Sequence, residues 1–159
     1  MVQAEISGSQ HVDVRAGELL VGVAARLTRL HSQVLAELES PLTFRQYRTL
    51  FRVRGGAKSL TELASYGNLA VPTVSEGVEG LVRRGLLSRA PSPADRRAVI
   101  LQITPEGLAA ADAGDEALQE VADVLIGSVS SEGRALLAET LESIYQAATS
   151  YFKKPEGSD

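Results

Sequence analysis

The sequence predicts a mainly α-helical protein with one small β-hairpin, an α+β fold. Three observations lead to this prediction. Apolar residues recur at steps of three and four over most of the 159 residues, which is the period of amphipathic helices. Proline and glycine interrupt that pattern, so it divides into several helices. After Gly85 the spacing changes to that of two short strands separated by a polar turn.

The first predicted helix is long and runs from Asp13 to Glu39. Pro41 predicts its end, because proline disfavours helix in the residue before it and has no amide donor. Residues 1–12 are mostly polar and contain no apolar signal segment. One apolar stripe along the helix comprises Leu20, Val23, Leu27, Leu30 and Val34.

The second predicted helix begins after Thr43, a good N-cap residue, and runs to about Val53. Gly55 and Gly56 end it. Its inner side is predicted to carry Phe44, Tyr47, Leu50 and Phe51.

Two short helices with a tight turn between them follow. Ser59 and Glu62 have the spacing of a capping box, which begins a helix through about Tyr66. Gly67 and Asn68 break the chain. The next helix begins at Val71-Pro72, continues to Arg84 and stops at Gly85. This order is that of a helix-turn-helix.

A β-hairpin and two further helices complete the chain. The strands are predicted at residues 86–90 and 98–103, with a polar turn at 91–97 that makes the hairpin a wing. Thr104-Pro105-Glu106 is a strong helix N-terminus, and that helix runs to about Gly127. Ser130 caps the last helix, whose apolar stripe comprises Leu137, Leu141, Ile144, Ala148 and Tyr151.

The predicted architecture is a winged helix-turn-helix flanked by dimerisation helices. A module of about sixty residues is too small to cover the apolar stripes of both flanking regions, so they are expected to pair across a two-fold axis. The predicted divisions are an N-terminal dimerisation helix (1–40), the winged module (41–104), C-terminal dimerisation helices (105–152) and a polar tail (153–159).

Charge is distributed unevenly along the chain. The net charge is −4, yet residues 41–100 contain ten Lys and Arg against four Asp and Glu, a local charge of +6. The rest of the chain carries −10. A basic middle between acidic ends indicates a DNA-facing module joined to elements that do not bind DNA.

Side chains suited to DNA contact lie on the second helix of the motif and on the wing. That helix would enter the major groove, with Val74, Val78, Leu81 and Val82 buried. Two arginines at the wing tip fit a narrow minor groove, and Asp95 is placed to hold Arg97 through a bidentate pair. The predicted DNA-binding residues are Arg45, Arg54, Ser59, Thr61, Pro72, Thr73, Ser75, Glu76, Arg83, Arg84, Asp95, Arg96 and Arg97.

The segment from Leu60 to Gly107 resembles the MarR family of bacterial regulators. The resemblance is carried by Leu60-Thr-Glu-Leu-Ala64, Val71-Pro-Thr-Val-Ser75, Leu81-Val-Arg-Arg-Gly-Leu-Leu87, Pro93-Ala-Asp-Arg-Arg-Ala-Val99 and Ile103-Thr-Pro-Glu-Gly107. It implies a homodimer on a pseudo-palindromic site in double-stranded DNA, with Arg97 in the minor groove. It also implies a repressor that is relieved by a small aromatic or phenolic effector. The side chains expected near such an effector are His31, Phe44, Tyr47 and Phe51.

Two features depart from the family pattern. Glu76 stands where a basic residue is common, and a carboxylate near phosphates is repulsive. Gly80 stands where a charged or polar residue is common, and Gly77 and Gly80 each cost roughly 1 kcal/mol relative to alanine inside a helix. Either the protein reads an unusual site, with the bare backbone approaching DNA closely, or its affinity for DNA is weak. The alternative function is therefore a winged-helix protein with weakened DNA binding that recognises a protein partner.

Composition argues against other classes. The chain has no cysteine, which excludes disulfides, thiol-based oxidant sensing and thiolate metal sites. His11 and His31 are the two histidines, and no catalytic triad, metal cluster or phosphate-binding glycine loop is found. We therefore expect no enzyme, cofactor or metal. No run reaches the roughly 18 apolar residues of a membrane span, so a cytoplasmic protein is expected.

Overall fold

The protein is described by a computed structural model that covers residues 2–67, 69–92 and 99–151. It confirms the mainly helical fold with a two-stranded antiparallel hairpin. The elements, in chain order, are α1 (Val2–Ala36), α2 (Phe44–Arg54), α3 (Leu60–Gly67), α4 (Val71–Arg83), β1 (Leu87–Pro91), β2 (Val99–Ile103), α5 (Pro105–Gly127) and α6 (Ser131–Tyr151).

Helix α1 is longer than predicted at its N-terminal end. It begins at Val2 rather than Asp13, since residues 2–12 contain no proline that would stop a helix. Its C-terminal end lies at Ala36, three residues before the predicted Glu39. There Leu42 folds back, and its backbone N–H donates to the Leu35 carbonyl at 2.9 Å. Both leucines are buried, so their contact ends the helix before Pro41 is reached.

The N-termini of α2 and α3 are fixed by reciprocal caps. The Thr43 hydroxyl accepts from the Gln46 N–H at 3.2 Å, and the Gln46 side chain accepts from the Thr43 N–H at 3.0 Å. Ser59 and Glu62 repeat this arrangement at 3.1 and 3.2 Å. Each cap satisfies amides that a helix leaves unpaired, so both helix starts follow from local sequence.

The hairpin and α5 are joined by a tight connection. β1 pairs with β2 from Leu87↔Ile103 to Pro91↔Val99, one residue later on β1 than predicted. Thr104 then caps α5, accepting from the Gly107 N–H at 3.0 Å and donating to the Gly85 carbonyl at 2.6 Å. One side chain therefore fixes the end of the hairpin, the turn after α4 and the start of α5.

One core lies inside the winged module and extends to α1 and α5. Its fully buried large side chains are Leu35, Leu50, Leu63, Val78, Leu81 and Leu87. Helix α5 packs against both α1 and α2, which attaches the flanking helices to the module. By contrast, α6 contains no buried residue. Among the described residues, no helix has the length and apolar character required to cross a membrane.

Candidate nucleic-acid interface

Helix α4 presents one apolar face inward and one polar face outward. Val74, Val78 and Leu81 are buried, as predicted from their spacing, whereas Val82, predicted to be buried with them, is only partly buried. On the other side Glu76 and Arg83 are exposed, while Ser75 is half-buried. Pro72 is exposed in the first turn, beside the half-buried Thr73. The face predicted to contact bases is therefore exposed to solvent at Glu76 and Arg83.

A cleft of about 280 Å³ separates the N-terminal half of α4 from α2. Arg45 and Thr49 line it from α2, and Thr73, Glu76 and Gly77 line it from α4. Arg45 and Glu76 therefore line the same cleft. This placement puts the unexpected acid of α4 next to a basic side chain of α2.

Arg52 of α2 holds the C-terminal end of α3. Its guanidinium donates to the Tyr66 carbonyl at 3.2 Å and lies 5.3 Å from the centre of the Tyr66 ring. Burial lowers the pKa of Arg52, and the neighbouring charge of Arg48 lowers it further. Because α3 ends where the turn of the helix-turn-helix begins, Arg52 helps to fix the position from which α4 starts.

Helix α3 contributes one exposed and one capping residue to the predicted site. Thr61 is exposed in its first turn. The Ser59 hydroxyl accepts from the Glu62 N–H, so it serves the helix cap. Glu62 also accepts from the Lys58 N–H at 2.6 Å, which ties down the residue before the cap.

Two of the predicted DNA-binding arginines, Arg54 and Arg84, bond to other side chains within the chain. Arg54 donates to Asp112 at 2.7 Å and to Asp115 at 2.6 Å, both on α5. Arg84 donates to Ser40 at 3.0 Å and to Gln46 at 3.4 Å. Arg54 is half-buried, whereas Arg84 remains exposed, as do Arg45, Arg48 and Arg83.

The base of the wing touches the outer face of α4. The Ser75 hydroxyl donates to Glu79 at 3.4 Å, and Arg89 of β1 lies 4.0 Å from the same carboxylate oxygen. The wing tip itself lies outside the described residues. It includes Asp95, Arg96 and Arg97, so their predicted roles rest on the sequence.

The four side chains predicted near an effector do lie together. His31 of α1 stacks on Phe44 with ring centres 5.6 Å apart. The ring centres of Phe44 and Tyr47 are 6.2 Å apart, and those of Tyr47 and Phe51 are also 6.2 Å apart. Phe51, predicted to lie on the inner side of α2, is 44% exposed, whereas Tyr47 is buried and donates its hydroxyl to Asp115 at 2.6 Å. The row therefore runs from α1 along α2, with Tyr47 attached to α5.

Sequence reasoning missed three participants around this surface. Gln46 stands three residues after Thr43, so the capping-box spacing could have revealed it. Asp112 and Asp115 could not have been found in the same way. They lie 58 and 61 residues from Arg54 in the chain, and only the packing of α5 on α2 brings them together.

Comparison with known proteins places this surface in a family context. A family model described as the MarR family matches residues 40–98. The HTH-type transcriptional repressor NicR of Pseudomonas putida is 30% identical over 127 residues, which cover 79% of each chain.

Solved structures with little sequence identity share the fold. A MarR family protein from Bacillus stearothermophilus superposes with a TM-score of 0.78 at 21% identity, covering 88% of this chain and 97% of its own. FabT of Streptococcus pneumoniae, in complex with DNA, gives a TM-score of 0.76 at 19% identity and covers 86% and 97%. At these identities the likeness concerns the arrangement of helices and hairpin.

Proposed function

The chain belongs to the MarR family of transcriptional regulators, and we propose that it is a repressor that binds a pseudo-palindromic operator as a homodimer. One observation carries the proposal. An otherwise acidic chain concentrates a charge of +6 in residues 41–100, where α4 offers an exposed polar face beside a hairpin. A basic winged module is suited to the phosphates and major groove of double-stranded DNA.

We assign the DNA contacts to three parts of the module. Pro72, Thr73, Ser75, Glu76 and Arg83 of α4 would face the major groove, with Glu76 accepting from a cytosine amine. The phosphate backbone of the DNA would be contacted by Arg45, Arg48 and Thr61. Asp95, Arg96 and Arg97 would serve the minor groove. We leave out Arg54 and Arg84, whose guanidinium groups bond to other side chains, and we assign Ser59 to capping.

The apolar surfaces of α1, α5 and α6 support a homodimer. Exposed apolar side chains include Val21 at 71%, Val124 at 74% and Leu136 at 67%. A groove of about 480 Å³ between α1 and α5 is lined by Leu30, Val34, Leu38, Val121, Val124 and Leu125, among others. Apolar surface of this extent marks an interaction site, and a second copy would cover it across a two-fold axis.

The aromatic row supports response to a small aromatic or phenolic effector. His31, Phe44, Tyr47 and Phe51 offer stacking surfaces at the junction of α1 and α2. An effector bound there would act on α2 and so on the module. The test is whether phenolic and benzoate-type compounds release DNA from the protein. We expect release from the wild type but not from Phe51→Ala, because Phe51 is more exposed than Tyr47 in this row.

Selection from a library of random duplexes tests the main proposal. We expect one inverted repeat to be enriched, with half-site centres about 10 base pairs or a multiple apart. Two chains should bind each selected duplex, measured by mass photometry. A reporter placed downstream of the selected sequence should then be repressed. Enrichment of no sequence would contradict the proposal and favour a protein partner, with the exposed Glu76 as the first residue to examine.

A further inference from the structure

We propose that Asp115 is a positioning residue for DNA binding, because with Tyr47, Arg54 and Asp112 it forms a junction that fixes α5 relative to the winged module. We refer to these four residues as the α2–α5 junction. The inference rests on the proposed homodimer on a two-part site. Under this inference, four residues outside the DNA-facing surface control the distance between the two α4 helices of the dimer.

Both oxygens of Asp115 are used. Oδ1 accepts from the Tyr47 hydroxyl at 2.6 Å, and Oδ2 accepts from Arg54 Nη2 at 2.6 Å. The other nitrogen of the same guanidinium, Nη1, donates to Asp112 Oδ1 at 2.7 Å. One carboxylate of α5 therefore contacts α2 at two residues seven positions apart, and one arginine spans two carboxylates of α5.

The helices approach closely at this point because α5 carries a glycine there. A Cβ placed on Gly114 would lie 2.8 Å from Tyr47 Cδ2 and 3.3 Å from Leu35 Cδ2. The Tyr47 ring thus occupies the space that any larger residue would fill. Gly114 and Asp115 therefore join α1, α2 and α5. Gly114 allows the close packing of Tyr47 and Leu35, and Asp115 makes the charged hydrogen bonds to α2.

The junction is better suited to fixing geometry than to adding stability. Arg54 is 26% exposed, Asp115 38% and Asp112 57%. Partly exposed ion pairs contribute little to stability, since solvent screens them. A planar guanidinium with two short bonds nevertheless restricts direction more than a single contact does. The hydrogen bond to Asp115 also raises the pKa of Arg54.

The expected consequence concerns the spacing of half-sites. Helix α2 belongs to the module that carries α4, and α5 belongs to the flanking helices that would pair in a dimer. Loosening the junction would let each winged module change its orientation relative to the flanking helices of the dimer. Each module would still bind its half-site, but the pair would tolerate half-sites at the wrong distance.

The test compares affinities for two duplexes. One is the selected inverted repeat, and the other has one base pair inserted between its half-sites, which shifts them by about 3.4 Å and 35°. The ratio of the two dissociation constants is the spacing penalty. Asp115→Asn and Arg54→Lys should each lower that penalty by about fivefold or more. Asp123→Asn, a matched change on the same helix, should leave it at the wild-type value.

A second measurement needs no DNA. The chain has no cysteine, so Thr61→Cys introduces one spin label per protomer on the exposed side of α3. Pulsed electron resonance then gives the distance between the two labels of a dimer. We expect a broader distance distribution in Asp115→Asn than in Asp123→Asn. Tyr47→Phe removes a single hydroxyl from the junction, so it serves as the test if Asp115→Asn does not fold.

The outcomes separate this inference from the function on which it rests. If the wild type shows no spacing penalty, the proposed two-part operator is wrong and the positioning role falls with it. If the wild type shows the penalty and the junction variants keep both that penalty and the wild-type distance distribution, the positioning role is wrong and the proposed function stands. An equal change in Asp123→Asn would also overturn it, because that variant leaves the junction intact.

Discussion

Gly107, in the first turn of α5, shows how one residue without a side chain joins two elements. A Cβ at this position would collide with the backbone carbonyl of Leu86, and it would lie 3.1 Å from Ile103 Cγ1. The backbone cannot yield as a flexible side chain could. The glycine that closes the Ile103-Thr-Pro-Glu-Gly107 pattern is therefore required by the packing of α5 against the start of the hairpin.

Gly107→Ala should be strongly destabilising. We expect the free energy of unfolding to fall by about 3 kcal/mol, the upper part of the range for overpacked sites. Gly127→Ala on the same helix is the control, since a Cβ there meets nothing within 4 Å. Urea unfolding followed by circular dichroism gives both values, and equal stability of the two variants would contradict the packing argument.

Tyr47 should make the stability depend on alkaline pH. Burial, together with the hydrogen bond to Asp115 and that residue's negative charge, raises the pKa of Tyr47 to about 12 from its ordinary 10.0. Between these values the unfolded chain loses the phenolic proton while the folded chain keeps it. The free energy of unfolding therefore falls as pH rises from 10 to about 12.

Comparison with Tyr47→Phe isolates this contribution. The stability advantage of the wild type over the variant should be largest below pH 10 and should shrink as pH approaches 12. Urea unfolding at a series of pH values measures it. A difference that stays constant across this range would show that the Tyr47 pKa is the same in the folded and unfolded chains.

Helix α4 has two glycines that its packing does not require. A Cβ on Gly77 would meet nothing within 4 Å, and one on Gly80 would make an ordinary contact with Gln46 at 3.9 Å. Both are inside the helix, where glycine is unfavourable. Packing therefore does not account for the bare backbone at these two positions, and Gly77 lines the cleft between α2 and α4.

Gly77→Ala and Gly80→Ala should each stabilise the protein by about 1 kcal/mol, because alanine is the better helix former. If α4 uses bare backbone to approach DNA closely, Gly77→Ala should weaken DNA binding at the same time. Thermal unfolding and DNA titration of the same samples measure the two effects. A loss of stability in either variant would contradict the absence of close neighbours around these two glycines.

The helix boundaries show which information is local. The sequence predicts four N-cap residues, and in the structure each side-chain oxygen accepts a hydrogen bond from the backbone amide three residues later. They are Thr43, Ser59, Thr104 and Ser130. The predicted start of α1 at Asp13 is wrong, because polar composition alone does not end a helix and residues 2–12 contain no proline. Sequence shows the charges of Arg54 and Arg84 but not the distant side chains that pair with them.

Across the whole molecule, charge and apolar surface are segregated. The basic residues concentrate in the winged module, while α5 and α6 carry acidic and apolar side chains on exposed faces. Under the proposed function, the basic surface would attract phosphates and the apolar surfaces would pair with a second copy of the chain. The −4 net charge therefore conceals a strongly basic module.

The most direct test is the salt dependence of binding to duplexes from the region upstream of the coding sequence, measured by fluorescence anisotropy. We expect tight binding, and the logarithm of the binding constant should fall with the logarithm of the salt concentration at a slope of about 0.9 per phosphate contacted. Arg97→Ala should weaken binding and reduce that slope, whereas Arg134→Ala, on α6 outside the module, should match the wild type. Equal affinity of these two variants, or no binding by the wild type at low salt, would contradict the claim that the winged module binds DNA.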